Sequence, residues 1–262
     1  MTEKSPDLPF RSSDLSFETL VKEEGAKEGK ILEVKDLAVS FDSFNVFHDI
    51  SFELARGEVM AVVGPNGSGK TVLFRALLKL IRYQGAVIWN KDIKIGYVPQ
   101  KLFVDSQFPV SVGDFFKFKT KSKEAMTEAL NSVGFSEDFE HLKHHVLNKK
   151  LGALSGGQLQ RVLIAWSIIN KPDILLFDEP TSGIDIGGEE TIYNLLHKLQ
   201  ASSHLALILI SHDLNIVYKY ADKVLCLNKE AICYGPPHEV LNTANLSQLY
   251  GGETKFYEHK HE

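Results

Sequence analysis

Gly64-Pro65-Asn66-Gly67-Ser68-Gly69-Lys70-Thr71 is the stretch on which the fold turns. It fits the spacing G-x-x-x-x-G-K-[ST], and its setting agrees: the apolar run Val59 to Val63 reads as a strand before it, and Val72 to Leu80 is apolar at helical spacing after it. A glycine-rich turn alone has no such context. Glycines let backbone N–H groups converge on phosphate oxygens, and the helix start adds the positive end of its dipole. Lys70 then reaches the β and γ phosphates and Thr71 offers a hydroxyl to Mg²⁺. On this reading Lys70 lies on a solvent-facing loop.

Toward the N-terminus, Ile31-Leu32-Glu33-Val34 and Val46 to Leu54 alternate as strands do. Residues 1–29 are rich in Ser, Glu, Lys and Gly, with weak apolar spacing only through Leu15, Leu20 and Val21, and are expected to be a flexible extension. Toward the C-terminus, Val87 to Trp89 and Ile95 to Val98 are short strands. Between Gln100 and about Leu151, apolar residues recur at spacings of three and four, as in Ala125, Ala129, Leu130 and Val133, so a helical insertion is expected. A helix from Ser155 to about Asn170 is broken at Lys171-Pro172, and Asp173 to Asp178 follows as a buried strand. Gly188 to Gln200, Leu205 to Ile210, Leu214 to Tyr220 and Val224 to Leu227 continue the alternation. That order predicts an α/β fold with a mostly parallel sheet covered by helices.

Two further stretches complete a nucleotide site. Ile174-Leu175-Leu176-Phe177 ends in Asp178-Glu179, and Leu154-Ser155-Gly156-Gly157-Gln158 opens the preceding helix. Adjacent carboxylates ending a buried strand are costly without a cation nearby. With the phosphate loop, these motifs make the chain resemble the ATP-binding subunits of ABC transporters from Ile31 to about Gly251.

The resemblance implies a P-loop ABC-ATPase fold over residues 30–252, with a mostly parallel core, an antiparallel β part and a helical subdomain at about 101–170, followed by a tail at 253–262. It implies ATP and Mg²⁺ as ligands, with Thr71, Gln100 and Asp178 toward the metal and Glu179 activating the attacking water. Gln100 resembles the family's Q-loop glutamine, His212 the switch histidine at the γ-phosphate, Asp185 the aspartate of the loop after Asp178-Glu179, and Phe41 the aromatic against adenine. Leu154 to Gln158 resembles the signature motif, which closes over ATP held by a second copy. The implied partners are that second ATPase copy, an integral membrane permease and, indirectly, an extracytoplasmic metal-binding protein. The implied location is peripheral, on the cytoplasmic face of the inner membrane.

Asp105 to Val112 with Phe108-Pro109-Val110, Thr181-Ser182-Gly183-Ile184-Asp185, and Gly235-Pro236-Pro237 leading to Leu249-Tyr250-Gly251 resemble the zinc and manganese uptake branch. Importers of iron chelates, haem or cobalamin share most of the frame, and a non-transport ABC ATPase is the rival from another class. The surface expected to couple to the permease runs from Gln100 to about Phe118, with Phe108 and Phe115 as apolar anchors.

Composition narrows the partners. The 262 residues carry a formal net charge of −5, which gives no general attraction to nucleic acid, and no nucleic-acid partner is expected. No apolar run approaches the ~18 residues of a membrane helix, so membrane association is expected to come through a partner. Cys226 and Cys233 lack the number and spacing of a disulfide framework or zinc site and read as buried strand residues. His141, His144 and His145, and His238, His259 and His261 further on, stand among lysines and read as solvated.

Overall fold

The computed structural model describes residues 29–42, 44–100, 102, 109–136, 138–179 and 186–251, excluding the side chains of 186–190. Asp185, Thr181 to Ile184, Asp105 to Phe108, His259 and His261 lie outside the described residues, as do the proposed extension, except Gly29, and the proposed tail.

The chain runs through β1 (Lys30–Phe41), β2 (Phe44–Ala55), β3 (Val59–Val63), α1 (Lys70–Leu77), β4 (Gln84–Trp89) and β5 (Ile95–Val98). Short helices follow: α2 (Val112–Lys117), α3 (Lys123–Ser132) and α4 (Phe139–Leu142), the last running into a wider π turn over Lys143–Leu147. Then come α5 (Gly156–Ile168), β6 (Ile174–Phe177), α6 (Ile186–Ser203), β7 (Ala206–Ile210), α7 (Leu214–Tyr220), β8 (Lys223–Leu227), β9 (Ala231–Gly235), α8 (Pro237–Val240) and α9 (Thr243–Tyr250).

Two sheets form. A three-stranded antiparallel sheet has the order β2-β1-β4, and a six-stranded sheet has the order β5-β6-β7-β3-β8-β9, parallel except for β9. The parallel strands are apolar on both faces because both faces are covered. Met60 and Val62 of β3, Leu176 of β6 and Ile208 of β7 face a core shared with α1 and the antiparallel sheet. Ala61, Val63, Leu175 and Leu209 face the opposite core, shared with the helical insertion and the C-terminal helices. One residue of register slip in any of these strands would exchange the two cores.

Register also places the site. Val98 pairs with Phe177, Phe177 with Leu209, and Leu209 with Ala61, so four strands end in one rank. Gln100, Asp178-Glu179, His212 and Gly64 all follow within a few residues of that rank, at the carboxyl edge where open parallel sheets bind ligands.

Two expectations need correction. Cys226 and Cys233 are buried strand residues, as expected, but their sulfurs are also joined in a disulfide. They lie directly opposite each other on antiparallel β8 and β9, a relation set by hairpin register that residue spacing alone does not reveal. Lys70 is not on a solvent-facing loop: it is the first residue of α1 and only 6% exposed.

Candidate nucleotide site

The phosphate loop is shaped by two close approaches. A Cβ at Gly64 would stand 2.1 Å from the Leu227 carbonyl oxygen of β8, so only glycine lets the loop leave β3 here. Gly69 caps α1 at φ 99°, the left-handed region, and makes no side-chain cap bond. The first amides of α1 therefore lack the usual side-chain acceptor. Lys70 folds back over the loop, and its Nζ donates to the carbonyls of Gly64 and Pro65 at 2.9 Å each. Burial pushes its ammonium below the ordinary lysine range, opposed by Glu179 and Asp178. Ser68 is 3% exposed and its hydroxyl has no hydrogen-bond partner. Such an orphan is expensive unless an external acceptor meets it.

Asp178 is 1% exposed, and burial raises its carboxyl above the ordinary aspartate range. Thr71 Oγ1 donates to Asp178 Oδ1 at 3.3 Å. Nearby, burial and then the Asp178 charge push the Tyr97 phenol up to about 12. Glu179 stands at φ 47°, a strained position for a side-chain-bearing residue and one that recurs at functional sites. Its carboxylate accepts from Gln100 Nε2 and lies 2.7 Å from His212 Nε2.

Several of these residues border one cavity of about 770 Å³, within the range of small-molecule sites. Asn66, Gly67, Gly69, Lys70, Thr71, Gln100, Glu179 and His212 line it. At its apolar end, Phe41 and Phe44 are paired across the β1–β2 turn and are 48% and 64% exposed. Phe47, in contrast, is buried. Phe44, Val46 and Val72 also line the cavity although the motifs did not single them out. The tight spacing of Phe41 and Phe44 was the available signal for the first of these.

Leu154 to Gln158 does not line this cavity. Ser155 caps α5 in a reciprocal capping box: its hydroxyl accepts from the Gln158 N–H, and Gln158 Oε1 accepts from the Ser155 N–H, each at 3.3 Å. Both residues are exposed. Phe115, expected as an apolar anchor, is half-buried with its ring stacked on Trp166, centroids 4.8 Å apart, while Phe118 is 75% exposed. His141 and His145 rings meet at 4.4 Å, and among the described residues no group of three or more His, Cys, Asp and Glu could hold a metal ion. No described helix is long and apolar enough to cross a membrane.

The ABC transporter family profile matches residues 47–182. The zinc import ATP-binding protein ZnuC of Pasteurella multocida is 38% identical over 237 residues, covering 88% of this chain and 87% of that protein. The protein of the same name from Haemophilus influenzae is 37% identical over 88% of this chain and 85% of its own length. Among solved structures, an inward-facing conformation of a putative metal-chelate type ABC transporter superposes with a TM-score of 0.73 at 31% identity, covering 84% of this chain and 88% of that one. CbiO1 from Clostridium perfringens gives a TM-score of 0.69 at 29% identity, with 84% and 94% covered.

Proposed function

We propose, from the premise that this chain belongs to the ABC transporter family as an ATP-hydrolysing subunit, that it drives uptake of zinc or manganese through a membrane permease. Its fold is that family's P-loop ATPase fold. The observation carrying the cargo reading is 35–38% identity to several zinc import ATP-binding proteins across 88% of the chain.

The site residues divide the work as follows. The α1 amides, Lys70 and the orphan Ser68 hydroxyl receive the phosphates, and Phe41 and Phe44 offer flat apolar faces to the base. The donor set fits Mg²⁺: the Thr71 hydroxyl stands beside a buried carboxylate, Asp178, whose ionised form is unfavourable until a cation arrives, and Gln100 borders the same cavity. Bound Mg²⁺ would neutralise charge on the β and γ phosphates. Glu179 orients the attacking water and accepts its proton, while His212, 2.7 Å away, holds that carboxylate and faces the γ-phosphate. Leu154 to Gln158 and Asp185 serve the ATP of a second copy. The permease, fed by an extracytoplasmic metal-binding protein, places the assembly on the cytoplasmic face of the membrane.

The neighbouring reading, an iron-chelate, haem or cobalamin importer, is favoured by the 31% identity to a putative metal-chelate type transporter. Deleting the gene under metal limitation separates the two. Cellular zinc or manganese is expected to fall, with growth restored by that metal; rescue by haem, cobalamin or chelated iron alone refutes the zinc and manganese reading.

A further inference from the structure

A second cavity, about 510 Å³, lies between the helical insertion and the main sheet, and none of its lining residues belongs to the nucleotide cavity. One wall is α3 through Ala125 and Ala129; the others are the end of α5 with Ile168 and Ile169, Pro172, and the end of α6 with Leu199. Its rim carries two ion pairs, Arg56 with Asp173 at 2.9 Å and Lys171 with Glu128 at 3.0 Å. In both pairs the basic side chain is at least half exposed, so each pair holds weakly and can exchange partners.

The described chain begins on this rim. The Arg56 N–H donates to the Gly29 carbonyl, and the next residue, Gly57, accepts from Gln200 of α6 at 2.7 Å. Ahead of Gly29 lie 28 residues, with Glu23, Glu24 and Glu28 nearest the tether and Leu15, Phe17, Leu20 and Val21 beyond. Phe17, Leu20 and Val21 are spaced i, i+3, i+4, a spacing that would share one face of a helical turn. Val21 is eight residues from Gly29, a span of up to roughly 26–29 Å when extended, ample to reach any part of a groove whose rim holds the tether.

We propose that this groove is the docking site for the chain's own segment 15–28, with Phe17, Leu20 and Val21 in the apolar trough and Glu23, Glu24 and Glu28 meeting Arg56 and Lys171. Three features support this occupant: the tether point on the rim, the reach of the segment, and an apolar stretch set beyond the charged residues Lys22, Glu23, Glu24, Lys27 and Glu28, matching an apolar trough whose rim carries two ion pairs. It is an amphipathic turn laid into a groove. Because α3 belongs to the helical insertion and Leu199 to α6, the docked segment ties the insertion to the sheet. The proposal is independent of the cargo and of the catalytic assignments.

Hydrogen–deuterium exchange tests it on the full chain, on a chain beginning at Gly29, and on the full chain carrying Phe17→Glu and Leu20→Glu. The last variant changes no residue of the described part and no residue of either core cluster, so the fold is expected to be kept. Amides of 123–132 and 199–205 are expected to exchange about tenfold more slowly in the full chain than in either variant. A synthetic peptide of residues 8–28 should restore the protection to the shortened chain. A Lys171→Glu change should weaken protection, and Glu23→Lys with Glu24→Lys should recover it. Equal exchange in all three chains overturns the proposal. So does protection that survives Phe17→Glu and Leu20→Glu, or that appears only at raised protein concentration or only with a membrane partner, since each assigns the groove to another occupant.

Discussion

The phosphate loop and the segment Leu154–Gln158 each deliver a helix N-terminus, and they are built in opposite ways. At α1 the cap is a left-handed glycine without a side-chain acceptor, the lysine is buried, and the neighbouring serine hydroxyl is unpaired. At α5 a serine and a glutamine satisfy each other, and Ser155, Gly156 and Gln158 are all exposed. The first end leaves its helix amides without a side-chain acceptor and the Ser68 hydroxyl unpaired, while the loop's own carbonyls hold Lys70. The second is stable in water by itself and keeps a small, accessible surface at Gly157, where a Cβ would meet nothing within 4 Å. Self-sufficiency at one end and incompleteness at the other fit the proposed division of the site between two copies.

The largest expected effect tests the incomplete end. Glu179→Gln keeps the shape of the side chain but cannot accept the proton of water, so turnover should fall by about 10²- to 10⁴-fold while ATP binding persists. Single-turnover hydrolysis beside nucleotide-binding measurements separates the two. Unchanged turnover removes Glu179 from the role proposed for it.

Ser155→Arg tests the other end. In the Glu179→Gln background ATP should accumulate a dimer that ADP does not support, and light scattering should find that dimer lost when arginine occupies the exposed cap. An ATP-dependent dimer that tolerates Ser155→Arg would show that α5 does not meet the partner's nucleotide.

A smaller effect concerns the base. Phe41→Ala should raise KM for ATP by about five- to tenfold at nearly constant kcat, because stacking on one aromatic face is lost in ground and transition states alike. Phe44→Ala should do less if Phe41 bears the main contact, and an equal effect of both would assign the base to the pair. A loss confined to kcat would mean that Phe41 acts on the chemistry instead.

The parts legible in advance were those whose signal is local. Ile95 to Val98 and Leu214 to Tyr220 form the elements expected, Ser155 is the cap expected, and the β3-loop-α1 order follows from one motif in its context. What escaped depends on register between distant or turned segments. The Cys226–Cys233 bond needs β8 and β9 paired at that residue, and Phe44 joins the cavity because the β1–β2 turn sets it opposite Phe41. Lys70 belongs to the phosphate-loop motif and is expected on a solvent-facing loop, yet two loop carbonyls bind it within the fold. Phe115, expected as an anchor of the coupling surface, is half-buried because Trp166, 51 residues later, stacks on it and donates its indole N–H to the Phe115 carbonyl.

The smallest effect isolates the cost of the open end. Burial holds the Asp178 carboxyl above its ordinary value of 3.8, so without a cation the folded chain binds that proton more tightly than the unfolded chain does. The resulting stability is fully present below the ordinary value and is lost as pH rises through the raised one. Wherever that carboxyl is ionised without a cation, the nucleotide-free protein carries an unfavourable buried charge. Asp178→Asn removes the charge and keeps an oxygen able to accept from Thr71. Without Mg²⁺ and ATP the variant should melt about 2–4 °C above the wild-type chain at neutral pH, and the gap should close as the pH is lowered toward the ordinary aspartate value. With Mg²⁺ and ATP the order should reverse, because only the carboxylate gains a cation and ligand binding stabilises the state it favours. Calorimetry at two pH values, with and without Mg²⁺ and ATP, reads all four conditions. A variant that melts below the wild-type chain at neutral pH without ligand, or a gap indifferent to pH, would mean that Asp178 is paid for within the fold and does not await a metal.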